Sequence, residues 1–464
     1  MKVVIVGAGI GGLVCAIACR REGIDVTVLE RVPKILHVRF IISPPGKSAS
    51  RIARQLDYLP QLIAKGIVLD SISYVRYSNG EVLYKMSAGE QMVRRFGDAW
   101  LTIHRADYHK ILWDAAETAG ADLRLGAQVE RLSADSVDSV GVFLVGGECI
   151  TADVIVGADG KKNPLKPHCS CLTPENITSF APLTSRQDLW SVTRDFVLGW
   201  HSPPVESGDM AHRATFKRGD LLALQDSRVE ELMNKGAVTC WMGPNRHAVF
   251  YPTDGGDSYN LVLLSANDMP QGVHEEIGNT DDMKLRFEGW DTRLTTMISS
   301  ISHVLKWKLF HHQELSEWTK GPVALLGDAC HPTLPYQAQG AAMASEDGAV
   351  LGKLLGLLHK SKLPDKHYIP DILKLYESLR KSRTTTNVQG AVSNRSTYHL
   401  PDGPQQQWRD ACLAAASLYP VQTEFKIADE AYKIDMLGSD SVRECASAFE
   451  NWVEKHRRHF RASI

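Results

Sequence analysis

Residues 2–30 read KVVIVGAGIGGLVCAIACRREGIDVTVLE, and this stretch decides how the rest of the chain is read. Lys2 to Val6 is a short β-branched run suited to a buried parallel strand. Gly7, Gly9 and Gly12 follow in the spacing G-x-G-x-x-G, and apolar Ile10, Leu13, Val14 and Ile17 then recur at helical spacing. A second strand, Asp25 to Leu29, ends at Glu30, 18 residues past Gly12. Gly7 permits the tight turn from strand to helix, and Gly9 lets a pyrophosphate approach the backbone. Gly12 lets the helix pack on the strand, while the helix N-terminus attracts phosphate. An acid at position 30 accepts hydrogen bonds from both hydroxyls of an adenosine ribose and repels a 2′-phosphate. The fingerprint specifies a dinucleotide site and leaves FAD and NAD both open.

A chain of 464 residues exceeds one simple core, so two cooperating domains are expected. Apolar residues make up 44% and charged residues 23%, as in an ordinary globular protein. A net charge of −2 gives no general electrostatic reason to bind nucleic acid or an anionic membrane. No apolar run approaches the roughly 20 residues needed to span a bilayer, and the apolar residues from Val3 lead into glycines rather than a signal-peptide core. A cytoplasmic enzyme is the expectation. The nine cysteines are scattered. Cys169 and Cys171 beside His168 have no second ligand pair at zinc spacing, so no metal is expected.

Further along, residues 51–66 have a helical pattern, and Tyr74 to Tyr84 reads as a hairpin with Asn79-Gly80 as a two-residue turn. Leu101 to Ala116 is a short strand followed by a helix, with Arg105 at the junction, where its forked donors can reach a pyrophosphate. The buried run Val154 to Val156 ends in Gly157-Ala158-Asp159-Gly160, at the strand end where ligands bind in open α/β sheets. Between about Thr173 and Ser316 short β-rich segments recur: 214–216, 221–224, 238–241, 248–251 and 259–264. This region is the expected substrate domain, with Arg213, Trp241, His247 and Tyr251 as candidates to line an aromatic pocket. Val323 to Leu326 returns to a buried strand running into Gly327-Asp328, then Pro335 and the small residues Gly340, Ala341 and Ala342. An aspartate at the strand end suits a sugar-like hydroxyl, and a small-residue helix start offers N–H groups to an anion.

Three elements thus stand in order: the glycine fingerprint with Glu30, Asp159-Gly160, and Gly327-Asp328. Together they resemble the FAD-dependent aromatic hydroxylases that include salicylate hydroxylase. The resemblance runs from Lys2 to about Asp410 and is strongest in GDACHPTLPYQAQGAAMASEDGAVLGKLL, residues 327–355. The stretches HRADYH around Arg105, AHRATF around Arg213, WMGPNRHAVFYP around Tyr251 and HLPDGPQQQWRD from His399 are similar to the fungal branch of that family. Its implied fold is α/β: a Rossmann-type FAD-binding domain, an inserted antiparallel β-sheet substrate domain and a helical C-terminal part. The corresponding segments are 1–172 and 317–369 for FAD, 173–316 for substrate and 370–464 for the helical part.

The resemblance also implies roles. Gly7, Gly9 and Gly12 cradle the FAD pyrophosphate and Glu30 holds the ribose. Arg105, Asp159 and Asp328 serve the pyrophosphate and ribityl region, and Gly340, Ala341 and Ala342 face the flavin N1–O2 edge. Pro335 shapes the pocket, while Arg213 and Tyr251 face substrate. The activity implied is monooxygenation of an aromatic or indolic small molecule in fungal secondary metabolism. NAD(P)H and O₂ are co-substrates, and there is no separate nicotinamide domain. His331 is expected to support the fold rather than act as a base.

Some residues depart from the family pattern. His37-Val38-Arg39-Phe40 replaces a glycine-rich passage, Asn163 and Lys166 stand at a serine and an arginine position, and His212 stands where tyrosine is common. These departures motivate an alternative, a non-redox cyclase or isomerase on the same scaffold.

Overall fold

The computed structural model describes residues 1–34, 47–133, 140–160, 191–234, 236–361, 363 and 365–462. Val3, Val4 and Ile5 are fully buried, and the strand Lys2–Val6 lies between Asp25–Glu30 and Val154–Gly157, parallel to both. Among the described residues this sheet has six strands. Val323–Leu325 and Thr319–Lys320 extend one side, Asp122–Leu125 extends the other, and only Thr319–Lys320 runs antiparallel. A strand buried on both faces needs cover on each, and β-branched residues throughout supply the apolar surface.

One cover is made by two helices in close contact, Ile10–Arg21 and Gly340–Lys360. Their approach depends on glycines spaced four apart in the second helix. A Cβ on Gly348 would lie 2.6 Å from the Gly11 carbonyl oxygen, and one on Gly352 would lie 2.5 Å from Ala18 Cβ. Val350, Leu351, Leu354, Leu355 and Leu358 on the same helix are fully buried. Each such residue contributes roughly 1.5–3 kcal/mol of burial free energy.

Among the described residues the second sheet has eight strands in the order Glu275–Gly278, Val304–His311, Val205–Lys217, Ser258–Ala266, Arg246–Thr253, Ala237–Gly243, Ser71–Arg76 and Val82–Ser87. Its last two strands come from the segment assigned in sequence to the first FAD part, so strand pairing does not follow contiguous segments. Those two strands form the expected hairpin, but the turn is longer than two residues: Val75 pairs with Val82 across a register shift, and Gly80 (φ 71°) donates to the Arg76 carbonyl. The segment 221–224 is not a strand. The chain forms a helix, Arg218–Leu222, whose first turn is closed by Asp220 accepting from the Lys217 N–H at 3.2 Å. A short apolar run does not by itself distinguish the two.

The sheet is buried on both faces. One face packs Trp241, Phe250 and Leu261 against Met283, Leu294 and Ile298 of two short helices and Phe287 at the end of the first. The other packs Ala211, Cys240, Val262 and Leu264 towards Tyr336, next to Pro335, and towards Tyr398, Leu413 and Ile427 of the C-terminal part. That part comprises the helices Asp365–Tyr398, Pro404–Ala416, Glu430–Gly438 and Ser441–Ala462. Among the described residues no helix is long and apolar enough to cross a membrane.

Candidate functional site

A cavity of about 1160 Å³ runs between the two sheets. At one end it is lined by Gly7, Gly9, Gly12 and Glu30, in the middle by Arg105, Asp159 and Asp328, and further on by Pro335, Gly340 and Ala341. Arg213, His247 and Tyr251 line the part under the eight-stranded sheet.

The glycine turn is built by close approach. Gly7 has φ 105°, and a Cβ there would lie 2.6 Å from the Ala158 carbonyl oxygen. A Cβ on Gly12 would lie 2.2 Å from the Gly7 carbonyl oxygen, so the helix sits directly on the strand end. Gly9 differs: a Cβ there would meet nothing nearer than the Ala158 carbonyl oxygen at 4.0 Å, which leaves the turn open on the cavity side. The Glu30 carboxylate accepts from the N–H of Ala8 at 3.0 Å and of Val32 at 3.1 Å. Each oxygen keeps a lone pair for a ribose hydroxyl.

The two aspartate motifs meet behind this turn. Asp159 lines the cavity, but its carboxylate is engaged by Ser191 Oγ at 2.6 Å, by the Thr193 N–H at 3.3 Å and by the Thr193 hydroxyl. Next to it, fully buried Arg194 donates from Nε to the Ala329 carbonyl at 2.7 Å and from Nη2 to the Asp328 carbonyl at 3.1 Å. Ser191 and Arg194 therefore supply a serine and an arginine three residues apart at the Asp159 side. Asn163 and Lys166, expected there from sequence, lie outside the described residues. So do residues 37–40 and Cys169, Cys171 and His168.

The Gly327-Asp328 turn is held from the other side by a buried charge network. Asp347 accepts from the Gly327 N–H at 3.0 Å, from His331 Nε2 at 2.5 Å and from Arg380 Nε at 2.8 Å. Arg380 also pairs with Glu346 at 2.7 Å. Burial alone would push both carboxyls up. The charges of His331 and Arg380 on Asp347, and of Arg380 and Arg383 on Glu346, outweigh it and bring each down to about 2. His331 is tied to Asp347 and does not line the cavity.

Strand parity sorts the substrate-side candidates. On Val205–Lys217, Arg213 faces the cavity and His212 faces the opposite side, where Gly278 and Lys306 pack around it. Burial, with the charges of Lys306 and Arg286, brings His212 down to about 4. It is therefore not part of the flavin side of the site. Trp241 also points away: its indole N–H donates to Asp291 at 2.8 Å in the rear core. Ala342 is fully buried inside its helix and does not line the cavity, whereas Gly340 and Ala341 do. On Arg246–Thr253, His247, Val249 and Tyr251 alternate onto the cavity face.

Arg213 has an unusual environment. Its guanidinium carbon lies 4.9 Å from the Trp307 ring centroid, yet Nε and Nη1 are buried with no hydrogen-bond partner among the described residues. Burial lowers its pKa, Tyr251 opposes that shift and Arg105 adds to it. Burial likewise lowers Arg105, with Asp328 opposing. Burial raises the Tyr251 phenol, against the Arg213 charge and a hydrogen bond from Asn260 Nδ2. An uncompensated buried cation is costly unless a bound anion completes it.

These features define a flavin-binding fold whose second sheet roofs a pocket, and the chain belongs to the FAD binding domain family, whose model matches residues 1–179 and 199–391. It is an FAD-dependent monooxygenase of the aromatic hydroxylase class. The chain is 33% identical over 420 residues to the FAD-dependent monooxygenase OpS4 of Beauveria bassiana (strain ARSEF 2860), covering 89% of each protein. It is 29% identical over 420 residues to the 3-amino-4-hydroxybenzoate 2-monooxygenase of Streptomyces cremeus, covering 89% of this chain and 92% of that one. Among solved structures, a salicylate hydroxylase substrate complex superposes with a TM-score of 0.75 at 20% identity, covering 97% of this chain and 98% of that one.

The site fits FAD: the turn at Gly9 is open, Glu30 retains acceptor capacity, and one continuous cavity joins the fingerprint to the Arg213 region. Sequence reading did not single out Arg194, Arg380 or the partner of His247. None of them lies in a local pattern that names its contacts.

Proposed function

We propose that this monooxygenase uses NAD(P)H and O₂ to hydroxylate a phenolic aromatic small molecule, with secondary metabolism as its setting. The observation that carries this reading is Arg213, a buried cation with two nitrogens unpartnered among the described residues, beside Tyr251 on an otherwise largely apolar cavity wall. A phenol that loses its proton there becomes an electron-rich ring and completes the cation.

In this reading Gly7, Gly9, Gly12 and the first turn of Ile10–Arg21 hold the pyrophosphate of FAD, and Glu30 holds its ribose. Arg105 and Asp328 bracket the middle of the cofactor, and Gly340 and Ala341 present helix N-terminal N–H groups to its ring system. When bound, FAD supplies the reduction and activation of O₂, so that one oxygen atom enters the substrate and the other leaves as water. NAD(P)H gives the two electrons. Arg213 stabilises negative charge on the substrate oxygen. Val249, Val262, Leu264 and Cys240 pack the ring and exclude water.

The non-redox alternative gains nothing from the family or the relatives, and the residues 37–40 and 163–166 that motivated it lie outside the described residues. The test is direct. Purified protein should take up FAD and turn yellow, and hydroxybenzoates should accelerate NAD(P)H oxidation with one product hydroxyl per NAD(P)H. A protein that takes up no flavin, or turns over without NAD(P)H, refutes the proposal.

A further inference from the structure

Five described residues other than glycine have a positive φ, and only Ala338 among them lines the cavity. Its φ of 54° and ψ of 30° put it in the left-handed region. Three of the other four, Asp57, Asn245 and Asp254, are Asp or Asn, whose short polar side chains hydrogen-bond locally and offset the cost. Alanine has no such means, so it stays strained only where its surroundings over-determine it. Ala338 closes the short turn Pro335–Gln337, with its N–H donating to the Pro335 carbonyl at 3.2 Å. Two residues later the helix Gly340–Lys360 begins. The conformation of Ala338 therefore sets the direction of that helix start, where Gly340 and Ala341 stand on the cavity wall.

The surroundings grip the turn two residues before Ala338. Tyr336, 4% exposed, donates its hydroxyl to Asp209. Asp209, 1% exposed on the strand Val205–Lys217, also accepts both prongs of Arg395, from Nη2 at 2.7 Å and from Nε. Arg395 belongs to the helix Asp365–Tyr398, whose Tyr398 hydroxyl donates to the Tyr336 carbonyl at 3.1 Å. Tyr336 is thus held by its side chain from the eight-stranded sheet and by its backbone from the C-terminal helix. Gln337 is hydrogen-bonded in turn to the Tyr432 hydroxyl at 2.8 Å. Burial and the Asp209 charge push the Tyr336 phenol up, so it remains a donor. Hydrogen bonds to an ionised carboxylate are about twice as strong as neutral ones. Asp209 and Arg395 do not line the cavity, so whatever they do for the site they do through Tyr336.

We propose that Asp209, Tyr336 and Arg395 form a clamp that keeps Ala338 left-handed and thereby aims the N–H groups of Gly340 and Ala341 at the flavin ring. Asp209 and Arg395 are positioning residues. The inference rests on the reading that these N–H groups meet the ring when FAD is bound. With the clamp open, Ala338 relaxes to an ordinary conformation and the helix start turns away. Negative charge on the reduced ring then loses donors, so the reduced cofactor is held less tightly.

The test uses Tyr336→Phe, which opens the clamp while leaving Asp209 paired with Arg395. In FAD-loaded protein the ratio of affinities for reduced and oxidised flavin should fall about tenfold, which lowers the two-electron midpoint potential by about 30 mV. In flavin-free protein the Ala338 and Met343 N–H groups, bonded to the Pro335 and Gln339 carbonyls, should exchange with deuterium about tenfold faster. Arg395→Lys keeps the charge but not the fork, and should move both readouts the same way by less. Glycine adopts the left-handed region without a clamp, so adding Ala338→Gly to Tyr336→Phe should return the potential to the wild-type value. A role in stability alone would give no such rescue. Wild-type exchange and potential in Tyr336→Phe, or a still lower potential in the double variant, would overturn the clamp. Faster exchange with an unchanged potential would overturn the reading of Gly340 and Ala341 as flavin contacts and leave the clamp standing.

Discussion

A Cβ built on Gly160 would lie 2.0 Å from the carbonyl carbon of Asp328. The two aspartate motifs, far apart in the chain, are therefore stacked backbone against backbone, and the side chains of Asp159 and Asp328 reach the same cavity. Arg194 fastens this junction from one side and Asp347 with Arg380 from the other.

Replacing Gly160 with alanine must push these backbones apart, because no flexible side chain is there to yield. Gly160→Ala should cost about 1–3 kcal/mol of stability and sharply reduce flavin retention. Thermal melting and the flavin absorbance of purified protein check both.

Arg213 should show opposite effects on stability and activity. Arg213→Met removes a buried cation with two nitrogens unpartnered among the described residues, while keeping the stem that packs near Trp307. Melting temperature should hold or rise, while kcat/KM for a phenolic substrate falls about 100-fold or more. A variant that melts lower and keeps its activity would contradict the role assigned to Arg213.

Trp241 should behave as core. Trp241→Phe leaves the Asp291 carboxylate short of one buried donor and should destabilise by about 1–3 kcal/mol, since Nε1 is 2.8 Å from Asp291. Substrate KM should stay at the wild-type value, because the indole lies behind the sheet.

Acid stability follows from the two buried carboxyls. Glu346 and Asp347 sit at about 2 against ordinary values of 4.5 and 3.8. A depressed folded-state pKa means the stabilisation is complete above the unfolded values and is lost as pH falls through that range towards 2. Asp347→Asn should cost about 3–5 kcal/mol at neutral pH. Its deficit relative to wild type should shrink as pH falls from about 4 to about 2, as read from denaturant melts across that range.

The amino-acid sequence by itself determined the nucleotide half of this protein. A strand, a glycine turn, a helix and a terminal acid are all local, and Gly7, Gly9, Gly12 and Glu30 stand together because a few residues of chain allow nothing else. The motif order further along was legible for the same reason, since each motif is a strand end followed by a turn. Facing was not legible in the eight-stranded sheet. Strands with one wet face betray their parity by alternating polar and apolar residues, but here both faces are buried, so nothing in the order His212-Arg213 or Cys240-Trp241 says which side chain meets the cavity. Partners were not legible either: Arg194 holds a carbonyl 134 residues away, and His247 meets His399 across 152. Only the tertiary structure decided those pairings, because a buried polar group takes whatever partner the packing brings within hydrogen-bonding distance, and spacing along the chain carries no record of it.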